Sequence, residues 1–132
     1  ERHCQNAEKV AAFLNSSKKI ELVNYPTLEG NPYRILAQKY LPRGCSGVIS
    51  FSMKGGREAA IKFMDSLELA SNVVHVADIR TCVLHPASST HRQLTDEQLV
   101  GAGITPGLIR ISVGLEHIDD ILADLEQGLA KI

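Results

Sequence analysis

The apolar pattern of this chain predicts an α+β domain, a small mixed or antiparallel sheet with helices mainly on one face. Three observations carry that expectation. Helical and strand periodicities alternate along the chain and do not fall into separate blocks. Each predicted helix has a single apolar stripe, so it needs only one surface to pack on. Each predicted strand is short, and the most economical way to bury such pieces is one sheet backed by helices. The glycine-rich connections at Gly55-Gly56 and Gly103-Ile104-Thr105-Pro106-Gly107 allow antiparallel or mixed neighbours, and the strand order stays open.

The elements follow in order. Ala7, Val10, Ala11 and Leu14 keep the i, i+3, i+4, i+7 rule, so a first amphipathic helix runs to about Leu14. Ile20 to Val23 reads as a strand closed by Tyr25-Pro26. Asn31-Pro32 starts a helix, with Asn as cap and Pro in the first helical position. Tyr33, Leu36, Ala37, Tyr40 and Leu41 share its face, and Pro42 and Gly44 end it. From Gly47 to Met53 the residues alternate, with Ile49, Phe51 and Met53 against Val48, Ser50 and Ser52, as in a half-buried strand. After the Gly55-Gly56 turn, Ala59, Ala60, Phe63, Met64 and Leu67 mark the inner face of a helix. Val73, Val74 and Val76 suggest a strand, and Thr81 to Leu84 another. Thr95 and Gln98 have capping-box spacing, opening a helix that Gly101 and Gly103 keep short. Leu108 to Val113 is a strand. The last helix buries Ile118, Ile121, Leu122, Leu125 and Leu129, with Asp119 and Asp120 placed to suit the helix dipole.

Length and composition narrow the function. The 132 residues suit one domain, and a chain 44% hydrophobic and 22% charged can fill a single core. The formal net charge is -1 and basic residues form no block, so nothing favours nucleic acid or a membrane surface as partner. No apolar run is long enough to span a bilayer, and residues 1–6 lack the apolar core of a signal peptide. Three cysteines, Cys4, Cys45 and Cys82, show no CxxC spacing and point to plain thiols in a reducing, cytoplasmic compartment. A Ser-His-Asp triad can be assembled on paper, but without a GxSxG elbow it is discarded. There is no P-loop and no GxGxxG.

Two segments go further than composition. In Gly107-Leu108-Ile109-Arg110-Ile111-Ser112-Val113-Gly114, residues 109, 111 and 113 form the apolar face, so Arg110 and Ser112 share the opposite one with Leu108. A guanidinium held on a rigid strand can bind a carboxylate through two parallel hydrogen bonds. The bland alternative is a surface Arg on a sheet. The second segment, His85-Pro86-Ala87-Ser88-Ser89-Thr90-His91-Arg92-Gln93-Leu94, follows a strand and gathers two His, three hydroxyls and an Arg, as ligand-binding loops often do. The hydroxyls serve equally well as turn and cap residues. His85 and His91 match no common zinc spacing, so no metal is expected.

His85 to His91, followed by Gly107 to Glu116, resembles the signature of the C-terminal domain of the Cys/Met-metabolism family of pyridoxal-phosphate enzymes. The likeness starts at Arg2-His3-Cys4-Gln5-Asn6-Ala7. It continues through Val23 to Pro26, Lys39 to Pro42 and Gly55 to Ala59, and reaches the last helix at Glu116 to Ile121. Within the family, Asn24-Tyr25-Pro26, Tyr40 to Gly44 and Thr105 to Arg110 are most similar to O-acetylhomoserine sulfhydrylases. Cystathionine γ-synthase, cystathionine γ-lyase and methionine γ-lyase are the sister activities, and a stand-alone binding module is the alternative outside enzymes.

The resemblance implies site residues. Arg110 would grip the α-carboxylate of a small amino-acid substrate. Thr90 matches a family Thr near the substrate and the cofactor lysine. His75 falls where relatives carry a Ser or Asn beside the carboxylate, and a His there can still donate a hydrogen bond. The resemblance also implies that residues 1–132 are the small C-terminal domain, without catalytic or cofactor-binding residues of their own. None of Lys9, Lys18, Lys19, Lys39, Lys54, Lys62 or Lys131 sits in the family's lysine context. Pyridoxal 5′-phosphate would belong to the intact enzyme and would not be bound by this stretch alone. The intact enzyme would be a homo-oligomer, a tetramer, and would convert O-acetyl-L-homoserine and sulfide to L-homocysteine and acetate, with the cofactor as electron sink. The open side of the sheet would then face the large domain, with the loop from His85 to Leu94 at its edge. Helices built from Leu36, Phe63 and Leu125 would cover the other side.

Overall fold

A computed structural model describes residues 1–132. Five strands form one mixed sheet in the order β1-β2-β5-β4-β3. They are β1 (Ile20–Asn24), β2 (Val48–Met53), β3 (Ser71–Asn72), β4 (Cys82–Leu84) and β5 (Leu108–Ser112). All neighbours are antiparallel except β3 and β4, which are parallel. The five helices are α1 (Arg2–Ser16), α2 (Arg34–Tyr40), α3 (Gly56–Ser66), α4 (Asp96–Gly101) and α5 (Ile118–Ala130).

Side-chain alternation builds the core on one side of the sheet. Ile49, Phe51, Ile109, Ile111 and Val83 are buried beneath α1, α3 and α5. Those helices contribute Ala7, Val10, Ala11 and Leu14, then Ala60, Phe63 and Met64, then Ile121, Leu125 and Leu129. Phe51 and Phe63 meet edge to face, ring centres 6.0 Å apart. Lys19 closes the far end of α5, donating from Nζ to the carbonyls of Leu129 at 2.6 Å and Ile132 at 2.9 Å. A cation is well placed there, at the negative end of the helix dipole.

The turn before α3 needs two glycines, because Gly55 and Gly56 adopt φ of 90° and 65°. The expected capping box is present, with Thr95 Oγ1 accepting from Gln98 N and the Gln98 side chain accepting from Thr95 N.

Two expectations are corrected. The valines at 73, 74 and 76 form no strand. Pairing stops at Asn72, and the chain turns away with Ala77 at φ 60° and with Val74, Val76 and Ile79 exposed. The local β preference of these valines gives way to hydrogen bonds made by the loop backbone, described below. The second correction concerns α2. It begins at Arg34, because Asn31 caps a preceding turn by accepting from Tyr33 N at 2.9 Å. It buries only Ala37, while Tyr33, Leu36, Tyr40 and Leu41 lie open. Leu36 is 50% exposed and does not help cover the sheet. Its apolar stripe follows helical spacing, but α1, α3 and α5 already occupy the covered face.

Candidate functional site

Arg110 lies at the centre of the sheet, on β5, between Ser50 of β2 and Leu84 of β4. Its neighbours Ile109 and Ile111 are fully buried under the helices, so its own side chain rises from the opposite face, as the alternation requires. That face carries a row across the strands made of Asn24, Ser50, Arg110 and Leu84. It is polar and only partly covered.

The guanidinium is held by backbone. Nη2 donates to the carbonyls of Val74 at 2.9 Å and His75 at 3.2 Å, and Nε is buried with no partner. No Asp or Glu pairs with it. A buried N–H left without an acceptor costs free energy, so this arrangement calls for a further oxygen.

The loop over Arg110 spans residues 73–80. Ser112, two residues along the same strand face, accepts from Ala77 N through Oγ at 3.1 Å. The His75 ring shares a 3.1 Å hydrogen bond with Asp78 Oδ2, and only its backbone carbonyl meets Arg110. Asp78 also accepts from the Arg80 backbone N–H and guanidinium. Those bonds, the Arg80 side chain first and then its backbone and His75, hold the Asp78 carboxyl well below the usual carboxylate range.

Thr90 lies on the exposed loop that follows a 3₁₀ turn at Pro86–Ser88, with its hydroxyl 2.9 Å from His91 Nδ1. Two anchors fix this loop. Buried His85 donates from Nε2 to the Pro106 carbonyl at 2.7 Å and accepts through Nδ1 from Ser88 Oγ at 2.8 Å. Burial pushes its pKa down and favours the neutral ring. Arg57, from the first turn of α3, donates to the Ala87 carbonyl at 2.7 Å and pairs with Asp96. Arg57 was not among the sequence candidates, since a lone Arg after a Gly-Gly turn carries no signal of the loop it will hold. No three His, Cys, Asp or Glu side chains converge as a metal site would need, and both His85 nitrogens are engaged. A cleft of about 500 Å³ opens beside this face, lined by Asn24, Asn31, Ser50, Ser52, Thr105 and Leu108.

No lysine here is prepared to hold a carbonyl cofactor. Lys19 is committed to the end of α5, and Lys9, Lys18, Lys39, Lys54, Lys62 and Lys131 are exposed. What the residues do provide is a guanidinium on a rigid strand, facing outward with an unpaired donor.

The family described as Cys/Met metabolism PLP-dependent enzyme matches residues 1–130. This chain belongs to that family. An O-acetyl-L-homoserine sulfhydrylase of Leptospira meyeri is 51% identical over all of this chain and 30% of its own length. An L-methionine gamma-lyase of Fusobacterium nucleatum subsp. polymorphum is also 51% identical, over all of this chain and 33% of its own. A crystal structure described as that of an O-acetylhomoserine (thiol)-lyase from Campylobacter jejuni superposes with a TM-score of 0.88 at 46% identity, over 98% of this chain and 31% of that one. It carries N′-pyridoxyl-lysine-5′-monophosphate. The chain therefore spans about a third of the length of the relatives it matches, and its sheet and helices have the fold of pyridoxal-phosphate enzymes of this kind. No helix is long and apolar enough to cross a membrane, and the three cysteines are free.

Proposed function

We propose that residues 1–132 are the C-terminal, substrate-carboxylate-binding domain of a pyridoxal-phosphate-dependent O-acetylhomoserine sulfhydrylase. The observation that carries this reading is Arg110. It stands on the central strand with its back sealed by the core, it faces outward, and its Nε lacks a partner. A guanidinium presents a carboxylate with two parallel N–H donors, and Nη1 makes no hydrogen bond within the chain. Backbone carbonyls take only Nη2, so the guanidinium is oriented without being neutralised.

In the intact enzyme the chemistry at the substrate's α and β carbons would be supplied by the cofactor, anchored outside these residues. The part of this chain is orientation. Arg110 fixes the carboxylate end of the amino acid, and a fixed carboxylate sets which bond at the α carbon is aligned for reaction. Such positioning can lower a barrier by several kcal/mol, on the order of 7–11 at the upper end. Thr90 and His75 are proposed neighbours of the substrate, on the two loops that flank the open face. The exposed apolar side chains of α2, with Leu22 on the open face, suit a surface that docks on the enzyme's large domain.

Equal identity to a methionine gamma-lyase gives a second reading, the same domain serving elimination from methionine. Assay of the full-length protein decides. The sulfhydrylase reading expects homocysteine from O-acetyl-L-homoserine and sulfide, with little release of methanethiol from methionine. Efficient methanethiol release without homocysteine formation would overturn it in favour of the lyase.

A further inference from the structure

Glu116 has no role in the reading above, yet it sits in a dense hydrogen-bond network at the end of β5. Its carboxylate accepts from Thr81 N at 2.6 Å through Oε1 and from Thr81 Oγ1 at 2.9 Å through Oε2. The Thr81 hydroxyl in turn accepts from Gly114 N at 3.0 Å, and Thr81 is fully buried. Asn6 of α1 donates from Nδ2 to the carbonyls of Gly114 and Glu116, both at 3.0 Å. Leu115 N donates to the Ile79 carbonyl at 2.8 Å. Backbone meets backbone so closely here that a side chain on Gly114 would lie 2.5 Å from the Ile79 carbonyl oxygen.

These bonds weld the end of β5 to the end of the loop over residues 73–80. The beginning of that loop is tied by Ser71 N to the Thr81 carbonyl at 2.9 Å and by Val73 N to the Val83 carbonyl at 3.2 Å. Its middle is tied by Ser112 to Ala77. Its hydrophobic side chains supply little anchorage, because Val74, Val76 and Ile79 are exposed and only Val73 is half-buried. The position of the Val74 and His75 carbonyls, the only partners of Arg110, is thus set mainly by hydrogen bonds.

We propose that Glu116 is a positioning residue for substrate recognition: by pinning Thr81 it holds the 73–80 loop at the height where two carbonyls aim the Arg110 guanidinium. The proposal rests on the reading of Arg110 as carboxylate ligand. A loosened loop lets the guanidinium swing, and the carboxylate then has to organise it on binding. The loss should fall on ligands that have a carboxylate and spare those that do not, a selectivity that a purely structural role would not produce.

The test uses the full-length holoenzyme and two probes, L-norvaline, an amino acid with no γ leaving group, and n-butylamine, the same molecule without the carboxylate. Binding of each is read from the cofactor's absorbance. Glu116→Gln weakens two charge-assisted hydrogen bonds and should weaken norvaline about tenfold while leaving butylamine within about twofold. Thr81→Val, which keeps the shape and loses the hydroxyl, should act the same way more mildly. Hydrogen–deuterium exchange without ligand should speed up over residues 73–80 in both variants and stay unchanged in β2 and α5. Arg110→Lys is the control and should weaken norvaline selectively. Wild-type norvaline binding in Glu116→Gln and Thr81→Val, with Arg110→Lys impaired, overturns the proposal. Equal weakening of both probes in those two variants also overturns it. Unimpaired norvaline binding in Arg110→Lys overturns the carboxylate reading, and this inference with it.

Discussion

The two faces of the sheet are built from the same strands and do opposite things. On one side Val23, Ile49, Phe51, Val83, Ile109 and Ile111 lie sealed beneath three helices. On the other side Asn24, Ser50, Arg110 and Leu84 form a row that the chain covers only in part. Residues one position apart are thus divided between stability and recognition. Apolar burial is satisfied wherever enough area is removed from water, while a guanidinium on an open face is satisfied only by a partner of particular shape. The covered face is complete within the chain. The open face leaves the Arg110 Nε without a partner.

The largest expected effect tests the covered face. Phe63→Ala removes a fully buried ring and its edge-to-face contact with Phe51, and should lower the stability of the domain by about 3–5 kcal/mol. Leu22→Ser, at a site 62% exposed on the open face, should change it by less than about 0.5 kcal/mol. Urea unfolding of the two variants measures the contrast. Comparable losses would mean that the open face is as much a core surface as the covered one.

Arg110 reverses that order. Arg110→Ala should leave the unfolding midpoint of the domain almost unchanged, because the side chain makes two hydrogen bonds and leaves its Nε unsatisfied. In the full-length enzyme it should cost about 2–5 kcal/mol of substrate recognition. If the carboxylate is bound equally in ground and transition states, the loss appears in KM. Steady-state kinetics against the amino-acid substrate, beside the unfolding curve, reads both quantities. A normal kcat/KM would break the functional half of the comparison.

The covered face was almost wholly legible in the sequence, because alternation and helical spacing are local and the core obeys them. β2, β5, α3 and α5 appear within a residue or two of where their patterns put them. The outward direction of Arg110 was legible for the same reason. The partners of Arg110 were not. The 73–80 loop carries a valine-rich stretch whose local preference is for a strand, and it is bent away by bonds from Ser112, Leu115 and Glu116, more than thirty residues distant. α2 shows the complementary failure. Its spacing is that of a helix, but spacing does not say which surface is free to receive a stripe.

His85 marks the boundary between the faces, buried yet bonded to the loop that bears Thr90. Burial lowers its pKa below the ordinary value of 6.5. Above about 6.5 both folded and unfolded chains hold it neutral. Below that, the unfolded chain takes up a proton that the folded chain resists, so stability falls as the pH drops. The effect should be about 1 kcal/mol or less between pH 6.5 and 5.5, and it should vanish from the pH dependence in His85→Asn. Urea midpoints across that range measure it. An unchanged slope in the variant would place the titration elsewhere.

The smallest effect, that of Ala77→Gly, sharpens the comparison where it is least obvious. The φ of 60° at Ala77 puts an L residue in the left-handed region, at the point where the loop's N–H meets Ser112 on the open face. For a residue with a Cβ that region costs on the order of 1–2 kcal/mol, most of which glycine avoids. Glycine also gives the unfolded chain more freedom, which returns about 0.4–1 kcal/mol of that gain. Ala77→Gly should therefore be neutral to stabilising, by about 0.5 kcal/mol. Ala77→Val places a β-branched side chain in the same conformation and should destabilise by about 1 kcal/mol or more. Unfolding curves for the two variants decide the matter. If valine proves the more stable, residue 77 is not held in the left-handed region, and the loop that orients Arg110 is a strand after all.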